Sequence, residues 1–367
     1  MFRKSKLLIL TIFIAGCAYN QLEQFGDLNP MYNTNGKRLM SHNVNGQFYN
    51  PKPKQQNMQK DSLWSSIYSW FFDRDKRKPP VSPVVHKLSS LSVGDGQTHI
   101  TWMGHSTMLL EIDGKTLLID PVFSDYAAPF SWLPPHSFFP EMPININNIK
   151  HIDAVVISHD HYDHLDYKTI KRLSEKAGQF IVPLGVGSHL RRWGVEDDKI
   201  IELDWWSNTK LGSITLTATP SQHFSGRSFT DKNKTLWAGW AVQGKSENIF
   251  FSGDSGYFSG FKQIGQRLGP FDLTMLECGA YNKAWPGIHM FPEQTAQAHL
   301  DLQGKALIPI HWGRFDLSLH TWDESIKRLK VAAKDKDITI VSPMIGQRFS
   351  MNTELPTTSW WYDIADK

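Results

Sequence analysis

The chain has 367 residues, 40% hydrophobic and 20% charged, with a formal net charge of +3. Such a composition supports a globular fold with a sizeable core and excludes a disordered or fibrous chain. The near-balanced charge and the lack of a basic stripe argue against nucleic acid as a partner.

Residues 1–16 read as a signal peptide. Arg3, Lys4 and Lys6 precede an apolar run from Leu7 to Ile14, and small residues follow. The run is far below the ~20 residues needed to span a bilayer. Ile14-Ala15-Gly16-Cys17 resembles a bacterial lipobox. That resemblance implies cleavage before Cys17, lipid on its thiol and a place in the bacterial cell envelope. Ala18, rather than an aspartate, favours the outer membrane facing the periplasm. A differently cleaved signal with an incidental cysteine is the plainer alternative. With Cys17 acylated, Cys278 has no disulfide partner and is expected to be buried.

Residues 17–60 are polar and aperiodic and read as a tether. Residues 61–95 form an aromatic amphipathic segment. Leu63, Ile67, Trp70 and Phe71 recur at helical spacing, and Pro79 and Pro80 stop the pattern. This segment is expected to pack on the main domain rather than lie on a membrane.

Residues 96–350 then alternate strand and helix patterns. "THITWMG", "TMLLEIDG" and "TLLIDP" predict consecutive strands, one turn carrying Asp113-Gly114. "DAVVIS" predicts a strand, "DYKTIKRLSEKAG" a helix closed by Gly178, "QFIVPL" a strand and "VGSHLRRWG" a short helix. Strands follow at "SITLTATP", "TLWAGWAVQG" and "NIFFSGD". A helix opened by Pro292, a strand at "KALIPIHWG", a helix at "TWDESIKRLKVAAKD" and a strand at "DITIVSP" complete the pattern. The order repeats loosely in the second half. This predicts an α/β fold, a single domain of sheets covered by helices, with residues 351–367 as a tail.

The chemistry concentrates in "SHDHYDHLD", residues 158–166, with three histidines and three aspartates behind an apolar strand. His223, Asp254 and His311 also follow apolar strands. Strand ends of one sheet share an edge, so these groups can converge. Imidazole and carboxylate together suit zinc, iron or manganese; calcium or magnesium would take nearly all oxygen. His159 and His161 can reach one cation, Asp163 and His164 a second, and Asp254 can bridge. Two cations about 3.5–4 Å apart can share a hydroxide and clamp a phosphoryl or carbonyl centre.

"HDHYDH" matches the HxHxDH motif of the metallo-β-lactamase fold. "TWMGHSTMLLEIDG", "HYDHLDY", "ELDWW", "TPSQH", "GDSGY", "GPFDL", "GAY" and "IHWG" resemble, in order, the N-acyl-phosphatidylethanolamine-hydrolysing phospholipase D family, as does "FYNP" upstream. The resemblance implies an αββα sandwich with two zinc ions, or iron or manganese. His159, His161 and His223 would hold one ion, Asp163, His164 and His311 the other, with Asp254 bridging and catalytic. Tyr162 and His289 would contact substrate, His289 also as a catalytic group, although the stretch from Trp285 to His289 is shorter than in the family. His105 and Asp120 would orient a ligand or a loop, or be structural. His136, His151, His189, His299 and His320 read as ordinary core or surface histidines.

The implied reaction hydrolyses a phospholipid to phosphatidic acid and an N-acylethanolamine. Trp205, Trp206, Trp237, Trp240 and Trp285 would line an acyl groove or fill the core. Membrane contact would come through lipidated Cys17; a homodimer is left open. The alternatives are a lactonase or another phosphoester hydrolase on the same fold, and a non-catalytic envelope scaffold.

Overall fold

The structure, a computed structural model, describes residues 22–34, 38–51, 77–89, 91 and 97–365. The lipobox with Cys17 and the aromatic run of residues 61–76 lie outside the described residues.

A small hairpin, β1 (His42–Val44) and β2 (Gln47–Tyr49), precedes the main fold. The first large sheet contains β3 (His99–Trp102), β4 (Met108–Ile112), β5 (Lys115–Ile119), β6 (Ile152–Val156), β7 (Ala177–Pro183) and β8 (Ile200–Leu203). The second contains β9 (Asn208–Leu211), β10 (Ile214–Thr219), β11 (Gly239–Gln243), β12 (Asn248–Phe251), β13 (Phe271–Glu277), β14 (Gly304–Ile310) and β15 (Thr339–Ile340). β16 (Arg348–Ser350) returns to the first sheet beside β3. Among the described residues six helices connect or flank these strands: α1 (Tyr167–Leu173), α2 (Val186–Arg192), α3 (Gly260–Leu268), α4 (Pro292–Asp301), α5 (Glu324–Lys334) and α6 (Trp361–Ala365).

The strand orders are β16-β3-β4-β5-β6-β7-β8 and β15-β14-β13-β12-β11-β10-β9. Each half begins with antiparallel neighbours and ends with parallel ones. The β4–β5 turn uses Asp113 and Gly114, both at positive φ, the geometry that matches the twist of a two-residue hairpin. The parallel strands require crossovers; helices supply them except between β5 and β6, where the long loop of residues 120–151 does.

Trp102, Leu110, Leu216, Trp240, Phe250 and Met275 belong to one continuous core that also takes in Phe261, Ala296 and Leu329 from α3, α4 and α5. Leu109, Val155 and Phe180 instead form a second apolar layer with Ile170 of α1 and Leu190 of α2. The alternation of strand side chains thus feeds two layers from the first sheet. The result is the predicted αββα sandwich.

Three sequence expectations need correction. Gly178 does not close a helix; α1 ends at Leu173, and Gly178 is inside β7, where pairing with β6 takes over the backbone. The described part of the polar tether is docked on the domain. Phe48 is fully buried, its N–H donates to Asn233 O at 2.8 Å, and Met40 N donates to Asp204 Oδ2 at 2.5 Å. Residues 351–367 are more than a tail: Trp360 and Trp361 are buried around Trp312. Of the two readings left open for the tryptophans, core packing holds for Trp205, Trp237 and Trp240. All three are buried, and their indole N–H groups donate to Trp237 O, Ser221 O and Ile157 O. Trp206 and Trp285 are half-buried. Cys278 is buried and free.

Candidate metal centre

The loop behind β6 turns back on itself: the His164 and Leu165 N–H groups both donate to His161 O. This places His159 and His161 on one side and Asp163 and His164 on the other. The chain after β10 adds His223, that after β12 adds Asp254, and the residue after β14 is His311. Four strand ends of two sheets therefore meet at one edge.

Their donor atoms fall into overlapping clusters. His159, His161, His223 and Asp254 form one; His105, Asp163, His164 and His311 form another; Asp254, His289 and His311 form a third. Within each, the ligand-capable atoms lie within 4.8 Å of one another. His159 Nε2 is 2.8 Å from His161 Nδ1, which is 3.3 Å from His223 Nε2. Asp163 Oδ2 is 3.2 Å from His311 Nε2 and 3.3 Å from His164 Nε2. Asp254 faces both groups, with Oδ1 3.2 Å from His164 Nε2 and Oδ2 3.0 Å from His311 Nε2 and 3.7 Å from His223 Nε2.

The rings are aimed from behind. Asp120 Oδ2 sits 2.7 Å from His164 Nδ1 and accepts from Ser158 Oγ at 2.5 Å. Ser158 Oγ is also 2.9 Å from His159 Nδ1. His223 Nδ1 donates to Ile288 O at 2.9 Å. These bonds leave the Nε2 lone pairs of His159, His164 and His223 pointing inward, the arrangement that metal-binding histidines use. His105 Nε2 lies 2.9 Å from Asp163 Oδ2 and holds that carboxylate. His105, Asp120 and His311 all adopt positive φ, a conformation that non-glycine residues rarely take and that concentrates at functional sites.

The donor set fits divalent cations. His164 Nε2 and Asp254 Oδ1 are buried and make no hydrogen bond although they face each other. With Nδ1 of His164 committed to Asp120, two lone pairs oppose each other unless a cation or a proton lies between them. The electrostatics agree. Burial alone would lower His164, but Asp254, Asp163 and Asp120 raise its pKa well above the usual range. The same opposition, with Asp254 and Asp163 prevailing over burial, lifts His311 to about 10. Burial pushes His159 and His223 well below the usual imidazole range. The carboxylates of the site thus favour positive charge at His164 and His311, while burial disfavours it at His159 and His223.

Tyr162 is outside these clusters. Its hydroxyl donates to Arg227 O at 2.5 Å, and its ring stacks 4.1 Å from the Arg227 guanidinium. His289 does reach the centre despite the short stretch before it, its ring 5.1 Å from that of His223. Sequence reasoning missed the residue that holds it. Glu277, fully buried at the end of β13, accepts from His289 Nδ1 at 3.1 Å and from Met290 N at 2.9 Å. Its position at a strand end was the available signal. Asn50 was missed as well; its side chain brackets the His223 backbone with two 2.9 Å bonds. Among the residues read as ordinary, His189 is a buried link between Asp160 and Asp27 N, and His299 bonds Thr274.

Residues 115–312 match the beta-lactamase superfamily domain. With its αββα sandwich and His/Asp centre, the chain is a metal-dependent hydrolase of the metallo-β-lactamase superfamily. Within that class it belongs to the N-acyl-phosphatidylethanolamine-hydrolysing phospholipase D-like family. It is 33% identical over 264 residues to N-acyl-phosphatidylethanolamine-hydrolyzing phospholipase D 1 of Caenorhabditis elegans, covering 67% of this chain and 74% of that one. A Mycobacterium tuberculosis protein is 44% identical over 293 residues, 78% of each chain. The outer membrane protein RomA of Klebsiella pneumoniae is 46% identical over 101 residues, 28% of this chain and 76% of that one. Among solved structures, an isothiocyanate hydrolase from Delia radicum gut bacteria shares the fold, with a TM-score of 0.55 at 21% identity over 69% of this chain and 99% of that one.

Proposed function

We propose that the protein is a two-metal phosphodiesterase that hydrolyses an N-acylated phosphatidylethanolamine to phosphatidic acid and an N-acylethanolamine. The observation that carries this reading is the meeting of two donor clusters at one carboxylate, Asp254, in a chain whose relative is named for that reaction. His159, His161 and His223 would hold one cation and Asp163, His164 and His311 the other, with Asp254 shared. Zinc suits this nitrogen-and-oxygen set best, iron and manganese next. Bound there, two such cations supply Lewis acidity at a phosphoryl oxygen and make water acidic enough to attack at neutral pH.

The chain's own groups do the rest. Asp120 and Ser158 fix the tautomers of His164 and His159. Asp254 takes the proton of the attacking water. Glu277 holds His289 by Nδ1 and leaves Nε2 for the substrate, where it would donate to a phosphoryl oxygen as the doubly protonated ring. Tyr162 adds a second donor when its hydroxyl leaves Arg227 O. Lipid on Cys17 would keep the enzyme on the membrane that contains its substrate, and the RomA match supports an outer-membrane address. Among the described residues no helix is long and apolar enough to cross a membrane.

The test is a substrate panel. Zinc-loaded protein is given N-acyl-phosphatidylethanolamine, a lactone and a β-lactam, with metal content measured in parallel. Turnover of the phospholipid alone supports the proposal. Turnover of the lactone alone, by protein carrying two metals, would replace the phosphodiesterase reading with a lactonase.

A further inference from the structure

We propose that the rim of the metal centre nearest the N-terminus is a docking face for an anionic lipid bilayer, built from two aromatic loop tips and a basic helix face. The inference rests on the lipid-substrate reading above and adds the surface that would meet the lipid.

Two loops leave the strand ends that frame the site. One follows β5 and Asp120 and carries Trp132, 73% exposed; the other follows β10 and His223 and carries Phe229, 96% exposed. The two loops share a support. Phe130 stacks on Trp132 with rings 5.6 Å apart and 9° from parallel, and Phe25 packs edge-on against Phe130 at 5.9 Å. Next to Phe25, Gln24 O accepts from Arg227 Nη2 at 2.8 Å, two residues before Phe229. Large aromatics held out into solvent by a rigid base are costly in water and suited to the headgroup layer of a bilayer.

Charge flanks the aromatics. The Phe123 N–H donates to Thr169 Oγ1 at 2.8 Å and so ties the Trp132 loop to α1, while Lys168 Nζ lies 5.1 Å from the Tyr126 ring. Lys168, Lys171 and Arg172 of α1 are exposed, and so is Lys232 beyond Phe229; the exposed acids are Asp125 and Glu141 of the Trp132 loop, the latter paired with Lys87, and Glu23 at the chain entry. Basic side chains beside aromatic tips complement an anionic leaflet. The position of the chain entry agrees with this occupant. The Trp193 indole donates to Glu23 O at 2.6 Å, which fixes the first described turn against the same rim. Cys17 is five residues before Leu22, and five residues span at most about 17 Å. A lipid on Cys17 would therefore insert close to Trp132 and Phe229, and the aromatic tips and the anchor would enter one membrane together.

The experiment uses the full chain incorporated by its own N-terminus into vesicles of phosphatidylethanolamine and phosphatidylglycerol with brominated acyl chains. Tryptophan quenching is read in the parent, in Trp132→Phe and in Lys168→Glu/Lys171→Glu. The expected result is a quenched component that Trp132→Phe loses, and that the charge reversal or high salt weakens. Equal quenching in parent and Trp132→Phe would overturn the proposal, as would self-association of the chain through Trp132 in place of bilayer contact. Failure of the chain to associate with vesicles would contradict the anchor and the face together. Quenching requires no turnover, so a failed phospholipase assay beside positive quenching would overturn the substrate reading alone.

Discussion

His164 Nε2 and Asp254 Oδ1 face each other at 3.2 Å, both buried, without a hydrogen bond between them. Asp120 occupies the other nitrogen of the ring. Two opposed lone pairs in a low-dielectric site call for positive charge between them. Without metal that charge is a proton, and the raised pKa values of His164 and His311 express this.

Metal uptake must displace those protons. Against burial, Asp254 and Asp163 raise both His164 and His311, the latter to about 10, so protons compete with metal for both rings. Zinc binding is expected to release protons, and apparent affinity to rise as pH rises toward that value. Calorimetry in buffers of different ionisation heats checks this. Zinc affinity independent of pH, with no proton release, would contradict it.

Asp120→Asn tests the support behind His164. The substitution keeps shape but weakens the charge that orients the ring and raises its basicity. Metal affinity or turnover should fall about 10–100-fold, as for other residues that orient a metal ligand. Metal titration and steady-state kinetics read the two effects separately, and an unchanged affinity would show that His164 is positioned without Asp120.

Gly279→Ala tests the path by which His311 is placed. A Cβ at residue 279 would stand 1.8 Å from His311 O, a backbone atom, while His311 N is tied to His105 O. The His311 backbone must shift, so the second cation should be lost first. Elemental analysis is expected to fall from two metals toward one per chain with the circular dichroism preserved. Retention of both metals would show that the site tolerates the shift.

Much of this centre was legible because chemistry demanded rare residue types at recognisable places. His159, His161, Asp163 and His164 crowd one loop, and His223, Asp254 and His311 each follow an apolar strand, so residue type and strand end together marked them. Glu277 sits at a strand end too, but a lone acid there carries no comparable density of histidine. The tryptophans were ambiguous in principle. Trp205, Trp237 and Trp240 satisfy their indole N–H groups on backbone carbonyls inside the core, which pattern alone cannot separate from a groove. The N-terminal extension looked like a tether because its composition is polar. Its described part is held by isolated long-range contacts, such as the two bonds of Asn50 to His223, that leave no periodic trace. The chain end misled for a similar reason: two adjacent tryptophans anchor a five-residue helix too short to read.

Trp361→Ala measures how far that chain end belongs to the fold. The ring is fully buried and meets Trp312 edge-on at 5.9 Å, next to the residue that follows His311. Loss of a buried tryptophan costs ~3–5 kcal/mol. Chemical denaturation should show a destabilisation of that size, whereas a change within experimental error would restore the reading of residues 351–367 as a tail.

The most direct measurement is hydrolysis of N-acyl-phosphatidylethanolamine by the zinc-loaded protein in oxygen-18 water, with mass spectrometry of both products and Asp254→Asn as control. Attack at phosphorus predicts label in the phosphatidic acid, unlabelled N-acylethanolamine, and a loss of at least about 10²–10³-fold in rate for Asp254→Asn. Label in the released alcohol, diacylglycerol as the lipid product, or no turnover by protein shown to hold two metals would contradict the account.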